Sequence, residues 1–75
     1  GVNPGFLYKT DGRVAIYVEI DAAGNVTSAK VQHEGTTTND EQLRRLAKEA
    51  ALKAKFRPSE RTLQGGVITY VFKLQ

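Results

Sequence analysis

The chain has 75 residues, no cysteine and a formal net charge of +3. These values describe one small domain with no disulfide framework and no thiolate metal site. A charge of +3 is too small to argue for a nucleic-acid partner, and none is expected. Charged residues make up 25% of the chain and its apolar periodicity is clear, which excludes disorder. No apolar run approaches the roughly 18 residues of a membrane span. A chain this short hides only about 60–65% of its unfolded surface, so its stability is expected to be marginal.

The chain opens Gly1-Val2-Asn3-Pro4 without a methionine and reads as a domain excised from a longer protein. Residues 1–11 read as a leader or linker remnant, and residues 12–75 as the domain. Asn3-Pro4-Gly5 and Asp11-Gly12 are turn signals on either side of Phe6, Leu7 and Tyr8. These three apolar residues are either a flexible sticky leader or a cover for part of an open sheet face.

Residues 13–21 read as the first strand. Val14, Ile16, Val18 and Ile20 alternate with Ala15, Tyr17 and Glu19. Residues 21–25 have hairpin composition, with Gly24 or Asn25 able to take a positive φ. Residues 26–33 read as the return strand. Its apolar positions move from even (Val26) to odd (Ala29, Val31), which predicts a bulge near Thr27 and Ser28 and a place at the sheet edge.

Residues 34–39 read as a loop ending in helix-start signals. Thr38 with Glu41, or Asn39 with Gln42, matches a capping box. A helix is predicted over residues 40–55, with Leu43, Leu46, Ala47, Ala50, Ala51 and Ala54 as its buried stripe. Leu52 fits that stripe poorly. Pro58 is expected to stop the helix, and Phe56 to be its last anchor under the sheet.

Residues 59–64 are polar, and Gly65-Gly66 reads as a flexible lead into the last strand. Residues 66–75 form the strongest strand signal of the chain. Ile68, Tyr70, Phe72 and Leu74 share one face, expected to be core under the helix. Val67, Thr69, Val71 and Lys73 share the other. Ten residues would span roughly 34 Å.

The order β-β-α-β predicts an α+β fold. A tight hairpin makes the first two strands neighbours, and the helix returns the third strand to the free side of the first. The result is a three-stranded antiparallel sheet of order 2-1-3, with one helix packed on one face. The last strand is then an edge. Proteins normally blunt such an edge, so a long unblunted one marks a docking site.

Catalytic signals are weak. His33 is the only histidine and reads as a surface or turn residue. Glu19 and Asp21 read as turn and solvation carboxylates rather than an acid/base pair. Ser28 and Ser59 have no base arranged near them in sequence. No phosphate-binding glycine pattern is present. The expectation is a protein that is not an enzyme and needs no cofactor or metal.

Charge is unevenly spread. Residues 1–42 are net −3, residues 43–61 are net +5, and Lys73 adds the remainder. Arg44, Arg45, Lys48 and Lys53 therefore form a possible basic patch, read either as a solvated helix face or as a site for an acidic partner.

Taken together, Gly12-x-Val14-x-Ile16-x-Val18-x-Ile20-Asp21 and Gly24-Asn25-Val26-x-x-Ala29-x-Val31 resemble the C-terminal domain of TonB-family energy transducers. So do Ala50-Ala51-Leu52-x-Ala54-x-Phe56-x-Pro58 and Gly66-Val67-x-x-x-x-Phe72-x-Leu74. The resemblance covers roughly residues 12–75. Thr36-Thr37-Thr38 and the last eight residues look like Bacteroidetes versions. The Tyr-Pro motif that commonly precedes the first strand is missing, with Asn3-Pro4 in its place.

The resemblance implies a periplasmic domain of a protein anchored in the inner membrane. It implies binding to the N-terminal box peptide of TonB-dependent outer-membrane transporters, and passage of proton-gradient force from inner-membrane motor proteins during nutrient uptake. The box would add as a strand beside Val67, Ile68, Thr69, Tyr70, Val71, Phe72 and Lys73. Two alternatives are a sensing or accessory domain of a membrane metallopeptidase-type signal transducer, and a homodimer of the isolated domain through paired edges.

Overall fold

The structure, a computed structural model, describes residues 11–73. The leader residues Phe6, Leu7 and Tyr8, and Leu74 of the last strand, lie outside the described residues. The elements are β1 (Gly12–Asp21), β2 (Val26–Val31), α1 (Glu41–Lys53) and β3 (Leu63–Phe72). The sheet order is β2-β1-β3 with both neighbouring pairs antiparallel, and the fold is α+β.

β1 is central because its alternation supplies the core. Val14, Ile16 and Val18 are fully buried, beneath Leu43, Ala47 and Ala51 of the helix. The hairpin that follows is a three-residue turn. The Asp21 carbonyl accepts from Gly24 N–H at 3.0 Å, and Asp21 N–H donates to the Asn25 carbonyl at 2.9 Å. Gly24 takes φ +90°, the conformation that glycine reaches without a Cβ penalty. The predicted bulge is present. Glu19 pairs with Ser28 but Ile20 pairs with Val26, which leaves Thr27 as the extra residue. The bulge turns Val26, Ala29 and Val31 all toward the helix, where they join the core or pack against it.

β2 ends at Val31, two residues before the predicted end. The chain continues along the same side of β1 without being a regular strand. Gln32 and Thr37 N–H donate to the Ala15 and Arg13 carbonyls, each at 2.9 Å. The hydroxyls of Thr37 and Thr36 accept from Arg13 and Ala15 N–H at 2.8 and 3.0 Å. The threonine loop thus satisfies the start of β1 where β2 has run out.

Helix α1 starts one residue later than expected, and its cap is Asp40 rather than Thr38 or Asn39. The Asp40 carboxylate accepts from Gln42 and Leu43 N–H at 2.9 and 3.1 Å. Thr38 instead accepts from Asp40 N–H at 3.0 Å, which sets the cap in place. Asp40→Ala is expected to cost about 1 kcal/mol in urea unfolding, since two first-turn donors lose their acceptor.

The buried stripe is narrower than its alanines implied. Leu43, Ala47 and Ala51 are buried, Leu46 and Ala54 are half-buried, and Ala50 is exposed. The helix also ends early, at Lys53. Ala54 is extended (φ −66°, ψ 146°), and the next residues pair with the hairpin turn instead. Lys55 bridges Asn25, Phe56 N–H donates to the Gly24 carbonyl at 2.8 Å, and Ser59 N–H donates to the Ala22 carbonyl at 2.9 Å. Phe56 is therefore not an anchor under the sheet. It is held by its backbone, and its side chain is 39% exposed.

β3 begins at Leu63, three residues before the expected start at Gly66, so Gly65 as well as Gly66 lies within the strand. Its ladder to β1 runs unbroken from Asp21↔Leu63 to Gly12↔Phe72. The helix packs against β2 and β1 and touches β3 least. The inner face of β3 is therefore not the closed core that the sequence predicts. Phe72 is buried, but Ile68 and Tyr70 are only half-buried.

Candidate functional site

Which way the backbone of β3 points follows from β1. Arg13, Ala15 and Asp21 use their N–H or carbonyl groups toward β2 and the threonine loop. Backbone groups of successive strand residues alternate sides, so Val14, Ile16, Val18 and Ile20 point theirs toward β3. Their partners Tyr70, Ile68, Gly66 and Gln64 must answer them. The odd residues Leu63, Gly65, Val67, Thr69 and Val71 consequently turn their N–H and carbonyl groups to the outer edge.

The same residues carry their side chains on the face away from the helix. Val67 is 51% exposed, Val71 58% and Leu63 53%, and Thr69 is exposed between them. Among the described residues no strand pairs with this row, which thus offers outward ladder groups and, at Val67, Thr69 and Val71, β-branched side chains. The inner face beside it, with Ile68 and Tyr70, is incompletely covered. Partial burial raises the Tyr70 hydroxyl above its ordinary pKa, because the phenolate loses hydration there. Lys73 lies just past the strand end rather than in the ladder.

Two features shape the edge. A cleft of about 270 Å³ opens where β1 starts and β3 ends, lined by Gly12, Arg13, Thr37, Val71 and Phe72 among others. Farther along the open face, the Tyr17 ring reaches across β3, so that a Cβ on Gly65 would strike its hydroxyl. Gly66 faces the other way, and a Cβ there would meet nothing within 4 Å. Gly66→Ala is expected to stabilise the domain by about 0.5–1 kcal/mol in urea unfolding, because it limits the unfolded chain and meets no obstacle.

The predicted basic patch is only partly assembled. The Arg44 guanidinium donates to the Thr38 carbonyl at 3.1 Å and braces the loop before its own helix. Arg45, Lys48 and Lys53 are exposed on the helix layer, not on the open sheet face that carries Val67 and Val71. Glu41 and Glu49 stand four residues before Arg45 and Lys53, the spacing of solvated helical ion pairs.

The polar residues weighed for chemistry are dispersed. Asp21 accepts from Asn25 N–H at 2.9 Å within the turn, and Glu19 accepts from the Ser28 hydroxyl at 3.0 Å. His33 is exposed, and its carbonyl closes a turn with Thr36 N–H at 3.1 Å. The Ser59 hydroxyl accepts from Arg61 N–H at 3.1 Å. Among the described residues, no group of three or more His, Cys, Asp or Glu could hold a metal ion. No helix among them is long and apolar enough to cross a membrane.

The sequence pointed to the strand but not to the direction of its backbone groups, nor to the glycine pair inside it. No known protein-family model, curated protein or solved structure matches this chain.

Proposed function

We propose that this chain is the partner-docking domain of a TonB-type energy transducer. It would lie in the periplasm and take the N-terminal box of an outer-membrane transporter as an added strand on β3. The observation that carries this reading is the edge itself. Val67, Thr69 and Val71 present outward backbone groups on a ten-residue strand, with exposed apolar side chains beside them. Strand addition draws affinity from such backbone groups and selection from alternate side chains. The edge has no proline, no bulge on its β1 ladder and no inward charge to discourage pairing. The resemblance of residues 12–75 to the transducer family supplies the identity of the partner.

The test is an NMR titration of the ¹⁵N-labelled chain with box peptides from the organism's own transporters. Amides of residues 67–71 are expected to shift at up to millimolar peptide, with the helix amides left in place. A panel that moves nothing on β3 would overturn the reading. Sedimentation of the free chain at several concentrations separates peptide docking from pairing of two β3 edges.

A further inference from the structure

Two adjacent glycines lie inside β3 and face opposite sides of the sheet. Gly65, opposite Glu19, is on the open face, and Gly66, opposite Val18, is on the helix side. The open-face gap is filled by the Tyr17 ring. Among the described residues the helix-side gap is open, since a Cβ on Gly66 would meet none of their atoms within 4 Å. The helix packs least on β3, and Gly66 itself is half-buried. Its surroundings are Gln64 and Ile68, both half-buried, and the fully buried Val18. None of them carries a charge.

We infer that the space over Gly66 is a socket for one bulky apolar side chain, aromatic or long aliphatic, of the strand that docks on β3. This rests on the strand-addition reading and adds what sets the register. The backbone of Gly66 points to β1, so its neighbour on an added antiparallel strand sits in a non-hydrogen-bonded pair. Cα atoms approach to about 4.5 Å in such pairs, and side chains lie closest there. With no Cβ on Gly66, that neighbour folds across β3 and covers the half-buried Ile68. A one-residue slip turns the bulky group to the open face, where Tyr17 already occupies the matching gap. A two-residue slip sets it against Gln64 or Ile68, where a side chain already stands.

Charge on the open face agrees with one register. Arg13 stands opposite Val71 and Glu19 opposite Gly65. An antiparallel strand with an acidic first residue and a basic last one complements both.

The probe is a set of capped ten-residue peptides of alternating Thr and Val, with Asp first and Lys last. A single Phe is walked through the six central positions. Each is titrated by NMR into the wild-type chain and into Gly66→Val and Gly66→Ala, both checked for folding by circular dichroism. One Phe position is expected to bind about tenfold tighter than the Phe-free peptide. Intermolecular NOEs should join that ring to the Gly66 Hα and the Ile68 methyls. The advantage should fall below about twofold in Gly66→Val and to an intermediate value in Gly66→Ala, as the added groups fill the socket. Equal binding at every Phe position, or an advantage unchanged in both variants, overturns the socket while peptides still shift residues 67–71, and strand addition then stands. If no peptide of the set shifts β3, the socket is overturned as well, and the transporter-peptide titration decides strand addition separately.

Discussion

Val71→Pro is expected to leave the domain folded and to weaken peptide docking by about 2 kcal/mol or more, roughly thirtyfold. Val71 belongs to the outward-pointing set, so its N–H serves no strand within the sheet. Proline removes that donor and places a ring where an added strand must approach. Edge positions of this kind are where sheets tolerate proline. Ile68→Pro is the matched control. Ile68 faces β1 opposite Ile16, and proline there breaks the central ladder. A domain of this length holds only about 4–11 kcal/mol in total, so Ile68→Pro is expected to unfold most of it. Circular dichroism and peptide titration on both variants read the two effects separately. Unfolding by Val71→Pro would show that the phase of β3 is reversed. Full peptide affinity in a folded Val71→Pro would place docking away from this edge.

The strand order was legible because few alternatives survive the chain's punctuation. A tight turn at Gly24 and one helical return leave the third strand only the free side of β1. The bulge was legible too, in the shift from Val26 to Ala29 and Val31. Three features were not. Gly65 and Gly66 read as a flexible lead, with the strand starting only at Gly66, because glycine is depleted in strands, yet pairing with β1 extends β3 back through Gly65 to Leu63. Ala54 and Phe56 prolong the helical spacing, so nothing local announces an end at Lys53. The hairpin turn captures that segment from thirty residues away, and a tertiary bond outcompetes a helical one. The direction of the β3 backbone groups depends on which β1 residues the threonine loop engages. Those hydroxyl contacts to Arg13 and Ala15 leave no periodic trace. The candidate site is therefore half legible: its strand and face follow from alternation, while its edge phase and the Gly66 gap follow only from the assembled sheet.

Gly24→Ala is expected to be the most damaging small substitution outside the core, at about 3 kcal/mol or more, from two costs that act together. The first is conformational. Gly24 holds φ +90°, where an L-residue loses about 1–2 kcal/mol. The second is steric. A Cβ on Gly24 would run into the Phe56 carbonyl, a backbone atom that cannot rotate away. Relief requires moving residues 55–59 off the turn, which gives up the Phe56 and Ser59 bonds to Gly24 and Ala22. That segment leads into β3, so its release loosens the entry to the docking strand as well as the hairpin. Gly24→Asn separates the two costs, because asparagine tolerates positive φ far better than alanine yet still carries a Cβ. Urea unfolding should find the asparagine variant only modestly better than alanine, since the clash remains. Recovery of nearly wild-type stability by asparagine would show that φ alone matters and that the Phe56 backbone does not press on the turn. Amide exchange at Phe56 and Ser59 gives the independent reading. Both should lose protection in Gly24→Ala before the central β1 amides of Ile16 and Val18 do.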